Sequence, residues 1–226
     1  MKKETTNDKP LLHPRTRAIT IAAWDYILED CHTIGKCIGR VETLSKRIKN
    51  PNQKYLEGLY FDKTDEDGAN CFKGDFTEIL AEHFFDEYGP TVGVNDYSPL
   101  IGQQDTGVDG EGKTKDIRPV LVQVKWGRWN EKVGYIQRGL GTFHLTSLRE
   151  NIGQTSTDQI FLFTLADGVD WRTIDFYFHG RLKFIARNFS TGIISKQPIE
   201  KIFSLETLIG DNPLFFKLLY ERILKS

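Results

Sequence analysis

The chain has 226 residues, 39% of them hydrophobic and 27% charged, with a formal net charge of −1 at pH 7. That balance excludes a disordered or collagen-like chain and leaves room for one large domain or two small ones. No stretch approaches the roughly 20 apolar residues of a membrane helix, and the polar start from Met1 to Pro10 does not read as a secretory signal.

Residues 16 to 30 predict a helix, with Ile19, Ala22, Ala23, Tyr26 and Ile27 on one stripe. Residues 33 to 49 predict a second helix capped by Thr33 and ended at Asn50-Pro51. Residues 50 to 71 are turn-rich and acidic and read as a loop. Phe72 to Tyr88 carries the clearest helical spacing. Asp75 stands at the expected N-cap, Glu78 three residues on completes a variant capping box, and Gly89-Pro90 is the stop.

Short strands are expected at Thr91 to Asn95, near Val108, and at Arg118 to Trp126. In the third, Val120, Val122 and Val124 alternate with Leu121, Gln123 and Lys125, so an amide and an ammonium share one face. A helix is expected at 143 to 151 and a buried strand at Gln159 to Leu165. Thr173 to His179 and Arg181 to Arg187 read as a hairpin turning at Gly180, and residues 198 to 209 and 213 to 224 as closing helices. The fold class expected is α/β: a central mixed β-sheet flanked by helices. An N-terminal helical region, residues 1–70, packs on a core at 71–226.

Three cysteines, Cys31, Cys37 and Cys71, are odd in number and fit no zinc spacing. They read as free, mostly buried thiols of a reducing cytoplasm. Charge is segregated. An acidic zone runs from Asp62 to Glu87, one basic zone from Lys36 to Lys54, and another from Lys113 to Arg138. Each run alone reads as a solvated face; together they suit a protein that gathers a cation and also grips phosphates. His13, His32, His83, His144 and His179 show no metal spacing and read as structural or surface residues, His83 as core.

The chemistry is carried by Asp109, flanked by Gly107 and Gly110, and by Gln123-Val124-Lys125 on the valine-rich strand. Phosphodiester hydrolysis needs a cation against the phosphate, an acidified water and a group that positions it. Asp109, the Gln123 amide oxygen and the Val124 carbonyl offer oxygen ligands to a hard cation such as Mg²⁺. Lys125 leaves the strand on the side of Gln123 and is placed to hold the water. Asp105 to Asp116 also has a glycine at the sixth place of a calcium loop. However, Gly107 fills a ligand position and the twelfth place is Asp116 rather than Glu. Asp105 reads as a turn-shaping residue.

These residues resemble the PD-(D/E)xK nuclease superfamily, in the subset with Gln in place of the second acid. The Asp105-x-Gly-x-Asp109-Gly stretch and the Phe76-Thr77-Glu78 helix look like its Mrr-like branch, and the resemblance covers residues 72 to 165. It implies Asp109 as metal ligand, Gln123 as second-position ligand, Lys125 as catalytic lysine and Glu78 as outer-shell or second-metal ligand. Two departures stand out: Gln123 removes a negative charge, and Val108 occupies the usual place of Pro.

The resemblance further implies a type II restriction endonuclease of a bacterial cytoplasm, a homodimer cutting double-stranded DNA at a palindrome. Mg²⁺ would be its cofactor, with Mn²⁺ able to replace it and Ca²⁺ binding without cleavage. Arg128, Asn130, Gln137, Arg138, Arg149 and Asn151 are expected to read base edges. Arg40, Lys46, Arg47 and Lys49 would grip phosphates or form the dimer contact. Two other readings compete: a Mrr-like modification-dependent or phage-type nuclease, and a catalytically inactive DNA-binding module on the same fold.

Overall fold

The structure, a computed structural model, describes residues 9–48, 66–100, 107–126, 159–165, 182–187 and 202–226. A 3₁₀ turn at Thr16–Ala18 precedes helices α1 (Ile21–Leu28), α2 (Ile34–Ile48) and α3 (Glu66–Val92). Strands β1 (Asn95–Pro99), β2 (Gly110–Lys113), β3 (Pro119–Lys125), β4 (Gln159–Thr164), β5 (Leu182–Ala186) and β6 (Ile202–Ser204) follow. Helices α4 (Leu205–Ile209) and α5 (Pro213–Lys225) close the chain. The strands form one sheet in chain order. β1, β2 and β3 are antiparallel neighbours, and β3 through β6 run parallel. The expected α/β class with a mixed sheet and preceding helices is what the chain adopts.

Local chemistry explains where the element boundaries depart from expectation. The first helical stretch is broken because Thr20 adopts an extended conformation and its side chain caps Ala23 N–H, so α1 begins only at Ile21. Thr33 caps α2 through Lys36 N–H at 3.3 Å, as expected.

Helix α3 is longer than its stripe suggests, with 27 residues. Asp75 and Glu78 therefore lie inside it, and neither forms the capping box expected of them. Asp75 instead accepts from Arg15 Nε at 3.1 Å. Gly89-Pro90 does not stop the helix. The stop is Gly93, whose φ of 89° is the left-handed cap conformation. Val94 N–H reaches Gly89 O at 2.8 Å and Gly93 N–H reaches Pro90 O at 3.4 Å, the paired bonds of a Schellman end. A Cβ on Gly89 would lie 2.4 Å from Val94 O, so this closure requires glycine there. The extra turn moves the strand expected at 91–95 to Asn95–Pro99.

The helix expected at 198 to 209 is a correction of another kind. Residues 202–204 pair with β5 as β6, and Ser204 then caps α4 through Thr207 N–H at 3.2 Å. The hairpin partner at 173 to 179 and the helix at 143 to 151 lie outside the described residues.

The core joins helices and sheet in one cluster. Phe72, Phe76, Ile79, Leu80 and Phe84 of α3 are buried at helical spacing with Val120, Val122 and Val124 of β3 and Phe161 and Phe163 of β4. Phe84 and Phe85 lie 5.5 and 5.9 Å from Phe163, ring to ring. Val41 and Leu44 of α2, Ile27 of α1 and Leu219 of α5 belong to the same cluster. Cys31 and Cys37 are buried free thiols, and Cys71 is an exposed one.

His83 ties α3 to α5. Its Nε2 lies 2.9 Å from Phe215 O and its Nδ1 3.1 Å from Arg222 Nη1, which places the ring proton on Nε2 and leaves the ring neutral. Burial holds its pKa down to about 3 from 6.5; the Phe215 carbonyl opposes that shift and Arg222 reinforces it. Between those two values the unfolded chain binds a proton that the folded chain refuses. The contribution is therefore complete above pH 6.5 and declines as the pH falls toward 3, by about 1.4 kcal/mol per pH unit. Gln preserves one donor and one acceptor without titrating. Urea unfolding of His83→Gln should show a flatter loss of stability below pH 6.5 than the wild type; parallel acid limbs would refute this.

Candidate functional site

The expected site residues converge where β2 leaves β3. Gly110 stands opposite Val122, and the preceding Asp109 also donates its N–H to Val122 O at 2.9 Å. Two N–H positions thus meet one strand residue at the end of the ladder, a bulge-like close that turns the Asp109 side chain along β3. The Asp109 carboxylate turns to the next unmatched donor of the strand, accepting Val124 N–H at 2.6 Å through Oδ2. Lys125 Nζ stands 3.8 Å from the same oxygen. The side chains of Asp109 and Lys125 keep 20% and 24% of their area exposed, so solvent and ligands reach both.

Gln123 lies one residue from this bond and is fully buried. Its Oε1 accepts no hydrogen bond among the described residues, although the residue is engaged elsewhere. On β3 it pairs in register with Leu162 of β4, and Lys125 with Thr164. Strand alternation thus sets Gln123 and Lys125 on the face away from the core valines.

Tyr97 packs against the turn that carries Asp109. The Tyr97 ring is buried and stacks on Phe85 at 4.6 Å. A Cβ on Gly110 would stand 2.3 Å from the Tyr97 hydroxyl oxygen, so the phenol lies directly over the glycine that follows Asp109. Burial pushes the Tyr97 pKa well above its ordinary value. The carboxylates of Asp109, Glu78, Glu82 and Asp86 push it further, in that order of strength.

Glu78 is not a helix cap. Its Oε2 accepts from His13 Nε2 at 2.7 Å, and 34% of its side chain is exposed. Glu82 is buried and accepts the N–H groups of Leu12 at 2.7 Å and His13 at 2.9 Å. Burial raises its carboxyl, opposed by those two donors and by Arg222.

Lys46 and Arg47 are exposed in the last turn of α2, and Arg47 and Arg40 both lie over the Tyr26 ring. Arg128, Asn130, Gln137, Arg138, Arg149 and Asn151 lie outside the described residues, as do Lys49 and Asp105. Trp126 packs edge-on to Phe76 at 6.3 Å under the Lys73 ammonium, half-buried against the core. Reading by motif missed His13 and Tyr97. Neither has a local signature, since each meets its partners only across a long sequence separation.

Among the described residues no three His, Cys, Asp or Glu side chains converge to hold a metal ion. A cation at this bulge would therefore rely on one carboxylate, Asp109, with neutral oxygens from Gln123 and Val124. Those donors fit a hard divalent ion, which takes oxygen ligands, and the buried Gln123 Oε1 is one such oxygen. No described helix is long and apolar enough to cross a membrane. Comparison with protein-family models, with characterised proteins and with solved structures gave no match.

The close approach at Gly110 yields a test of the geometry. Gly110→Ala should cost about 1–3 kcal/mol by overpacking against Tyr97. Trimming the ring with Tyr97→Leu should relieve part of it, so the double variant is more stable in denaturant than the summed single effects predict. Strict additivity would mean that Tyr97 does not lie over the bulge.

Proposed function

We propose that this chain is a divalent-metal-dependent DNA endonuclease acting at the β2–β3 bulge. The observation that carries the reading is the meeting of Asp109 Oδ2, Val124 N–H and Lys125 Nζ at one point beside the buried Gln123 amide. Asp109, Gln123 and the Val124 carbonyl would hold Mg²⁺, with Mn²⁺ able to replace it. When bound, the ion supplies charge neutralisation on the scissile phosphate and a more acidic water.

The protein's own groups do the rest. The Val124 N–H fixes the orientation of the Asp109 carboxylate, which removes the freedom a surface aspartate would have. Lys125 brings a cation to the negative charge that develops on phosphorus, and its amine orients the attacking water. Its attraction to Asp109 keeps it at that position before substrate arrives. Glu78 on α3 is proposed, from the resemblance alone, as an outer-shell or second-metal acid.

The substrate proposed is double-stranded DNA and the activity that of a type II restriction endonuclease, with two copies supplying one active site to each strand of a palindrome. Lys46 and Arg47 are proposed phosphate contacts, and the segment at 127–158 is proposed to read bases. Incubation with long DNA and Mg²⁺ tests the activity. Discrete fragments support restriction, a smear indicates a nuclease of low specificity, and a mobility shift without cleavage supports a binding module instead.

Lys125→Ala should lower cleavage by about two orders of magnitude or more while DNA affinity in Ca²⁺ stays within a few-fold. Asp109→Ala should abolish cleavage with the fold retained by circular dichroism. Cleavage near the wild-type rate in either variant would defeat this site assignment. Loss of binding together with cleavage in Lys125→Ala would make that lysine a phosphate anchor. If Gln123 supplies an oxygen to the ion, Gln123→Glu should retain more cleavage than Gln123→Leu in assays over a range of Mg²⁺ concentrations; equal loss would indicate a packing role.

A further inference from the structure

Cys31 and Cys37 meet at the connection between α1 and α2. Cys31 follows α1, where its N–H donates to Leu28 O at 3.0 Å, and Cys37 lies in the first turn of α2, where its N–H donates to Thr33 O at 3.2 Å. Cys31 Sγ stands 3.5 Å from that same Thr33 oxygen. One carbonyl thus gathers the Cys31 sulfur and the Cys37 backbone, and the two thiols hydrogen-bond to each other. Two sulfurs already in contact need little side-chain movement to reach the S–S length of about 2 Å.

The surroundings of the two sulfurs differ. Cys37 is enclosed in the core. Cys31 is also buried, but it lines a cavity of about 760 Å³ between the end of α1 and α5. His32 and Leu214 line the same cavity and are exposed, so it opens to solvent. Two cations are tied to the backbone beside Cys31. Lys36 Nζ donates to Asp30 O at 2.6 Å, and Arg40 Nη1 donates to Ile27 O at 3.3 Å and to Glu29 O. The Cys37 hydrogen bond holds the Cys31 thiol below its ordinary pKa against the effect of burial, and Arg40 and Lys36 act in the same direction. That bond and burial push Cys37 well above its own. The thiolate is the nucleophilic form, and Cys31 is where it forms.

We propose that Cys31 and Cys37 are a peroxide-reactive dithiol, with Cys31 the attacking thiolate reached through the cavity and Cys37 the thiol that resolves it. The Cys31 thiolate attacks one oxygen of hydrogen peroxide. The S–O bond forms as O–O breaks, and the departing hydroxide takes up a proton to become water. The Cys37 sulfur then attacks the Cys31 sulfur. The S–S bond forms as S–O breaks, and the oxygen leaves as water with the Cys37 proton. Two thiols and one peroxide give one disulfide and two waters; the cysteines are oxidised and the peroxide is reduced. None of this draws on the nuclease reading.

The test exposes the intact, folded protein to hydrogen peroxide, alkylates the remaining thiols in denaturant and maps tryptic peptides by mass spectrometry without reduction. Cleavage after Lys36 separates the two cysteines, so a linked peptide pair reports the disulfide. That pair should appear while Cys71, exposed on α3, is still alkylated, and dithiothreitol should reverse it. Cys37→Ser should stop at a Cys31 sulfenic acid that dimedone traps. In Cys31→Ser, Cys37 should react at least about tenfold more slowly than Cys31 does in Cys37→Ser. Retention of both thiols in the folded wild type, under peroxide that oxidises the urea-unfolded chain, overturns the proposal without needing any variant to fold. Equal reactivity of the two cysteines in the single variants, or linkage of either to Cys71 instead, overturns it as well.

Discussion

Asp75, Glu78, Glu82 and Asp86 recur every three or four residues along α3, so four carboxylates crowd one helical face and repel one another. Every one is answered from elsewhere in the chain. Arg15 meets Asp75, His13 meets Glu78, and the backbone of Leu12 and His13 meets Glu82. Arg222 meets Asp86 at 2.6 Å and stands 3.7 Å from Glu82. Arg222 and Glu82 are each only 1% exposed in their side chains. A pair that deep is costly to desolvate and becomes far costlier if one partner is lost. The N-terminal segment and α5 are therefore electrostatic requirements of α3 as well as hydrophobic covers for it.

That constraint explains which side of α3 can serve a site. The apolar stripe of Phe72, Phe76, Ile79 and Phe84 is committed to the sheet. The acidic stripe is neutralised most completely at its Asp86 end, where Arg222 and His83 are buried, and most openly at Glu78, which keeps a third of its side chain exposed. The most exposed of the four acids is the one held by a histidine ring rather than by an arginine. At the end of β3 the Lys125 ammonium stands 3.8 Å from Asp109 and offsets part of its charge.

Much of this was legible in the sequence where the cause is local. The valine alternation of β3 fixes its faces by the period of an extended chain, and the stripe of α3 fixes its buried side by the helical period. Asp109 and Lys125 were legible as a pair because glycines flank the one and the strand sets the direction of the other. The boundaries of α3 were not legible. Gly89-Pro90 looks like a stop, but the helix runs through Pro90, and the decisive residue is Gly93 with its positive φ. β6 was misread as helix because Ile202-Phe203-Ser204 is too short for periodicity, and only pairing with β5 makes it a strand.

The role of Glu78 shows why local reading fails at a site. With Asp75 three residues earlier it matches the spacing of a cap, and within the motif that is a sufficient account of it. Its actual neighbour lies 65 residues away in sequence, on a segment with no apolar periodicity and no motif. A capping glutamate would bond its own backbone and be spent. Glu78 is instead held from outside, by a ring whose Nδ1 in turn accepts the Arg15 N–H. What separates a cap from a tertiary contact here is a partner at long sequence separation, and no spacing rule along α3 encodes that.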